Sequence, residues 1–244
     1  MEKVAVIGGG QMGSQIAALS AMSGHETSIF DSNKEYLESK LVFTKDNIEN
    51  LVSKDLLQKE NLDNYNQNLK VYDSLETVVN DKTFVIEAVV ERFEVKKDIF
   101  ASISNILDED VVLATNSSFI AASEIAKHCK HPERFINMHF FYPPLRMDLI
   151  EISFPESTNK QVVDRTKELS NLMGRTVVTL KKETPCFIVN RMLGALVDEA
   201  YELYDEGIAD FKDIDLAIKK GLNHPLGPFE LTDYSGLDLS LIHI

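Results

Sequence analysis

Over the first three quarters of the chain, short apolar runs rich in β-branched residues alternate with longer stretches of helical spacing. Residues 4–7 form one such run, and Met12, Ile16, Ala17, Leu19 and Ala21 then recur at helical intervals within residues 11–23. Residues 27–30 form the next run. Lys34–Ser53 reads as a long polar helix with Leu37, Leu41, Ile48 and Leu51 on one side, and residues 61–68, rich in Asn and Gln, as a loop or short helix. Further strands are predicted at 69–72, 83–87, 111–115, 135–139, 149–152 and 176–180, with helices at 94–104 and 159–173. Strands that alternate with helices argue for an α/β fold on a doubly wound, mostly parallel sheet.

The rhythm changes near residue 183. Thr184 is placed to cap a helix with Pro185 at its first position. Residues 187–204 then read as a long helix, apolar nearly all round in its first turns and therefore expected to be buried between others. Residues 211–220, stopped by Gly221, and 228–234 give two more helices. The expected division is an α/β domain at 1–183 and a smaller all-α domain at 184–238.

The first strand and helix enclose Gly8-Gly9-Gly10-Gln11-Met12-Gly13, a G-x-G-x-x-G turn. Gly8 permits the tight turn, Gly10 lets a pyrophosphate approach the backbone, and Gly13 allows close packing of helix on strand. The free N–H groups at the helix start are an anion site. The second strand ends at Asp31, eighteen residues after Gly13. An acid there suits the ribose hydroxyls and repels a 2′-phosphate, so a Rossmann-type domain that binds NAD rather than NADP is expected.

Composition narrows the partners. Formal charge is 25 − 39 = −14, which disfavours nucleic acid and anionic membranes. Cys129 and Cys186 have neither metal-ligand nor disulfide spacing, so no metal is expected. No apolar run reaches membrane-spanning length, and the first strand begins at about residue 3, which leaves no room for a presequence; a cytoplasmic, reducing setting is expected.

Ligands of doubly wound sheets bind beyond the carboxyl ends of the strands. Two strands end in reactive groups there, one leading to Ser118 and the other ending in His139. If the strand after His139 runs antiparallel about a turn near residue 145, Glu151 becomes the cross-strand neighbour of His139. A carboxylate there fixes the imidazole tautomer and stabilises its protonated form, as a base–orienter pair requires. A hydrogen-bonded core histidine beside an edge-strand carboxylate would give the same spacing, and a Ser after a strand is often only a turn residue.

The glycine turn and Asp31, with Ile86-Glu87-Ala88-Val89-Val90-Glu91, Ala114-Thr115-Asn116-Ser117-Ser118, Met138-His139-Phe140-Phe141, Glu151, Thr184-Pro185-Cys186-Phe187-Ile188-Val189-Asn190-Arg191 and Gly227-Pro228-Phe229-Glu230-Leu231, resemble the 3-hydroxyacyl-CoA dehydrogenases over residues 3–238. The resemblance implies NAD-linked interconversion of an L-3-hydroxyacyl-CoA and its 3-ketoacyl-CoA, in a protein that is a homodimer when complete. It implies that His139 is the general base and Glu151 its holder, with Ser118 and Asn190 on the substrate oxygen. It assigns Gly8, Gly10, Gln11, Met12, Gly13, Asp31, Glu91, Lys96, Ser118 and Tyr142 to the cofactor, and Lys54 and Asn47 to coenzyme A.

Some positions depart from the family pattern. Tyr142 stands for an Asn, Phe119 for a second Ser where it narrows the acyl pocket, Asn47 for a frequent Ser, and Cys186 for a Gly. Family members also continue with further helices after Gly236-Leu237-Asp238. Residues 239–244 match a frame of a transposon end used in making sequencing libraries and are read as non-native. The helical domain is therefore expected to be incomplete and the chain as given to associate through an exposed apolar patch. A sugar-acid dehydrogenase of the L-gulonate 3-dehydrogenase type, which needs no coenzyme A site, and a non-catalytic NAD-binding protein are the competing functions.

Overall fold

The computed structural model describes residues 1–235, which form two compact units, Met1–Pro185 and the chain from Cys186 onward. The first unit holds strands β1 (Lys3–Ile7), β2 (Glu26–Phe30), β3 (Leu69–Val71), β4 (Phe84–Glu87), β5 (Val112–Thr115), β6 (Phe135–Phe140), β7 (Leu149–Ser153) and β8 (Thr176–Thr179). Its helices are α1 (Gln11–Met22), α2 (Lys34–Ser53), α3 (Lys59–Asn68), α4 (Leu75–Val79), α5 (Phe93–Ile103), α6 (Ala122–Ala126) and α7 (Lys160–Leu172). The strands make one sheet in the order β3-β2-β1-β4-β5-β6-β7-β8. All neighbours are parallel except β6 and β7, so the α/β, doubly wound prediction describes the observed sheet.

Parallel strands covered on both faces carry near-continuous apolar runs, and β1 does so. Val4 and Val6 face the layer of α1, α2, α3 and α7, while Ala5 and Ile7 face that of α4, α5 and α6; all four are buried. From β1 the chain winds outward to β2 and β3, then returns to β4 on the other side. The topological switch point, and with it a binding crevice, lies between β1 and β4.

The residues 61–68 left open between loop and helix lie in α3, where Gln58 and Asn61 cap each other's backbone. The short helices α4 and α6 were not predicted, because five residues are too few to show a period. In the second unit, α8 (Val189–Asp205) starts later than expected. Cys186 and Phe187 adopt φ of +61° and +53°, so the helix cannot begin at Pro185. The left-handed conformation costs a residue with a Cβ roughly 1–2 kcal/mol, a cost that a Gly at position 186 would not carry. The expectation that the first turns of α8 are buried also fails, since Ala200 is its one buried residue.

Two shorter helices follow, α9 (Phe211–Gly221) and α10 (Pro228–Ser235). Tyr201, Tyr204 and Phe211 gather around Phe229, with ring centroids 4.9–6.0 Å from it. The start of α10 is capped from α9. The buried Asp215 accepts hydrogen bonds from Phe229 N (2.9 Å) and Glu230 N (3.1 Å), while Pro228 has no N–H to satisfy. A Cβ on Gly227 would lie 2.3 Å from Asp215 Oδ1, which explains the glycine. Residues 236–244, on which the predicted end of the domain and the non-native tail fall, lie outside the described residues.

Asp215→Ala removes both acceptors from a buried helix start. It should destabilise the second unit by about 2 kcal/mol. Asp215→Asn, which keeps one acceptor, should cost less. Urea unfolding followed by circular dichroism checks the order; equal midpoints for alanine variant and parent would refute the cap.

Candidate active site

The glycine turn is built by close approach. A Cβ on Gly13 would sit 1.8 Å from the carbonyl oxygen of Gly8, and one on Gly8, whose φ is +100°, would sit 2.6 Å from the Ala88 carbonyl. Those two glycines are demanded by the fold. Gly10 is different, because its Cβ would meet nothing nearer than the Tyr36 ring at 3.8 Å. Gly10 also provides no side chain to cap α1, so the N–H groups of Gln11, Met12 and Gly13 remain available to an anion. An open glycine under uncapped donors is the cradle a pyrophosphate needs, so these residues fit a dinucleotide.

Asp31, at the end of β2, accepts hydrogen bonds from Gly9 N (2.7 Å) and Asn33 N (2.8 Å). These leave lone pairs on both carboxylate oxygens for ribose hydroxyls. Tyr36 flanks the turn from the first turn of α2, half-exposed. Asn47 lies in the last two turns of α2, where it donates to the Phe43 carbonyl (2.9 Å), and Lys54, exposed, is the residue that ends that helix.

The ends of β4 and β5 are joined by a buried charge network. Lys96 of α5, 1% exposed, lies 2.7 Å from Glu87 Oε1 and 3.1 Å from Glu91 Oε2. Glu87 also accepts from Val89 N and Thr115 Oγ1, each at 2.7 Å. Burial pushes the Glu87 carboxyl up, against the pull of the Lys96 charge and these hydrogen bonds. Glu91 Oε1 accepts from the Ser117 hydroxyl, Ser118 N (3.1 Å) and Phe119 N (3.3 Å), so it gathers the turn that carries Ser118. Glu87 was missed in the sequence. The signal was a carboxylate closing an apolar strand nine residues before a lysine in a helix.

β6 and β7 pair antiparallel with His139 directly opposite Glu151, the register the spacing suggested. His139 Nδ1 lies 3.2 Å from Glu151 Oε2, and the two residues are 3% and 1% exposed. An ionised carboxylate only accepts, so in this pair Nδ1 is the donor. The Phe141 ring, with its centroid 4.6 Å from that of the imidazole, fixes the ring from another side. Tyr142, half-exposed, follows. Asn116, just past β5, accepts from Phe140 N (2.9 Å), and Asn137 of β6 donates to the Ser117 carbonyl (2.9 Å), which ties the Ser118 turn to the His139 strand. Asn190 stands in the first turn of α8, in the second unit.

A base with an oriented tautomer beside a dinucleotide cradle suits proton abstraction coupled to hydride transfer. Residues 3–184 match the family model described as 3-hydroxyacyl-CoA dehydrogenase, NAD binding domain, and residues 187–242 the one described as its C-terminal domain. A 3-hydroxybutyryl-CoA dehydrogenase of Clostridioides difficile is 36% identical over 98% of this chain and 84% of its own length. The mitochondrial hydroxyacyl-coenzyme A dehydrogenase of Homo sapiens is 34% identical over 98% of this chain and 77% of its own. The crystal structure of (S)-3-hydroxybutyryl-CoA dehydrogenase from Ralstonia eutropha superposes with a TM-score of 0.94 at 30% identity, covering 100% of this chain and 85% of that one.

The two glycines should part experimentally. Gly13→Ala is expected to prevent correct folding. Gly10→Ala is expected to leave the melting temperature within a few degrees of the parent and to weaken NADH binding at least about 10-fold. A Gly10→Ala protein that binds NADH like the parent would remove the pyrophosphate from this turn.

Proposed function

The chain belongs to the 3-hydroxyacyl-CoA dehydrogenase family, an NAD-dependent oxidoreductase family, and from that premise we propose that His139 is its general base, held by Glu151. The observation that carries the proposal is the buried His139–Glu151 pair, with Nδ1 3.2 Å from the carboxylate. His139 Nε2 takes the proton of the substrate's 3-hydroxyl, and Glu151 stabilises the imidazolium that results. Bound NAD supplies the hydride acceptor, or in its reduced form the donor. Ser118 and Asn190 hydrogen-bond the substrate's 3-oxygen and stabilise charge that develops there.

In this reading Gly8, Gly10, Gln11, Met12 and Gly13 cradle the pyrophosphate and Asp31 holds the adenosine ribose. Glu91, Lys96 and Tyr142 line the nicotinamide end. The placement of Lys96 supports an indirect part for it, since its charge is spent on Glu87 and Glu91. Lys54 meets a coenzyme A phosphate and Asn47 stands beside it. A basic residue on that exposed face supports acyl-CoA over a free sugar acid as substrate.

In this reading the first unit holds the cofactor and most of the residues that meet substrate, Asn47, Lys54, Ser118 and His139, while the second carries Asn190 and the dimer contacts. A homodimer is supported by apolar side chains of the second unit left in solvent, Met192 at 68% and Ile208 at 65% exposure among them. A cytoplasmic setting goes with this reading; among the described residues no helix is long and apolar enough to cross a membrane.

His139→Gln should lower kcat with acetoacetyl-CoA by roughly 10²–10⁴-fold and leave the NADH dissociation constant nearly unchanged. Near-normal turnover would remove His139 from the mechanism. Cofactor choice gives a second check. The Asp31 charge opposes a 2′-phosphate, so kcat/KM should favour NADH over NADPH by on the order of 100-fold. Equal values in the parent protein would contradict the role of Asp31.

A further inference from the structure

Asn116 closes β5 at the crevice edge and has no part in the reading above. It is 8% exposed, and its Oδ1 lies 2.9 Å from Phe140 N. An N–H can face only the acceptor end of the carboxamide, so this contact fixes which way the amide points. The two N–H donors on Nδ2 then point away from Phe140. They make no hydrogen bond among the described residues, and Nδ2 is not sealed from solvent. Asn137 Oδ1, by contrast, is buried with no partner. A side chain more than nine-tenths buried thus keeps a pair of aligned donors turned to open space at the strand ends where ligands of this fold bind.

The face of the sheet indicates what those donors meet. Thr115 bonds Glu87 on the α5 side, so alternation returns Asn116 to the side of Ala114, Met138 and Phe140, which is the layer of α1. His139 points to the opposite side, with Glu151. The α1 layer bears the dinucleotide cradle, and its anionic part is served by the start of α1. What remains for a neutral pair of donors beyond β5 is the polar handle of the nicotinamide ring. We propose that Asn116 donates to the carboxamide oxygen of the nicotinamide, and so sets which face of the ring is turned toward the substrate. This rests on the reading of the crevice as an NAD site.

Asn116→Asp keeps an oxygen for Phe140 N–H and nearly the same shape, but has no donors. Binding of NADH and of ADP-ribose, which lacks the nicotinamide, is measured by titration for parent and variant, together with their melting temperatures. The expected result is NADH binding weakened about 10-fold or more, ADP-ribose binding within about twofold, and little change in melting temperature. The parent should also bind NADH more tightly than its thionicotinamide analogue, in which sulfur replaces the oxygen, and this comparison does not depend on the variant's folding. Equal weakening of NADH and ADP-ribose would overturn the assignment. So would unchanged NADH binding with a raised KM for acetoacetyl-CoA, which would give the donors to the substrate, or a parent that does not distinguish the thio analogue. A parent that binds ADP-ribose and not NADH would also overturn it. A parent that binds neither would sink the NAD reading itself.

Discussion

Much of the site hangs on one buried cation. The Lys96 ammonium sits between Glu87 and Glu91, and through them it holds β4, β5, the start of α5 and the Ser117–Phe119 turn in a single arrangement. Lys96 and Glu87 are costly to desolvate, Glu91 meets them from the exposed side, and such a cluster contributes little net stability. Its value is directional. Each carboxylate oxygen already has its donors, and the ends of β4 and β5 cannot shift without leaving the buried Lys96–Glu87 pair uncompensated, at roughly 3–5 kcal/mol. Rigidity of that kind is what a site needs when the groups that act must be held within fractions of an ångström.

The connection between β6 and β7 is held in a comparable way with neutral groups. Asn116 takes the N–H of Phe140, and Gln15, from α1, takes that of Leu145 (3.2 Å). The segment that leaves His139 is thus fastened at both ends by amides from two other elements, and one of them belongs to the helix of the glycine turn. The helix of the glycine turn is therefore linked to the segment that leaves the histidine by one hydrogen bond, Leu145 N to Gln15.

What could be read from the sequence divides along physical lines. The parallel strands were legible because burial on both faces leaves unbroken apolar runs, as in β1 and β4. The His139–Glu151 pairing was legible because an antiparallel register is arithmetic once the turn is placed. Asp31 and the glycines were legible because turn, helix start and acid occur at fixed separations. Glu87 and Asn116 were not, because what distinguishes them is depth and a partner far along the chain. Nor was the late start of α8, because Cys186 and Phe187 lie in left-handed conformations that nothing in their side chains announces. The solvent exposure of α8 depends on how many neighbours its unit supplies, which periodicity does not record.

Gly13 and Gly227 are both closed to larger residues, yet they constrain the future of this sequence differently. The obstacle at Gly13 is the Gly8 carbonyl, a backbone atom present whatever residue stands at position 8. No second substitution can clear it, so the position is fixed for as long as the turn exists. At Gly227 the obstacle is the Asp215 side chain. A shorter residue at 215 would open the space, but it would first strip α10 of its cap. Drift at Gly227 is therefore conditional on order. The change at 215 must come first and passes through a less stable intermediate, so the two positions are free to vary only as a pair.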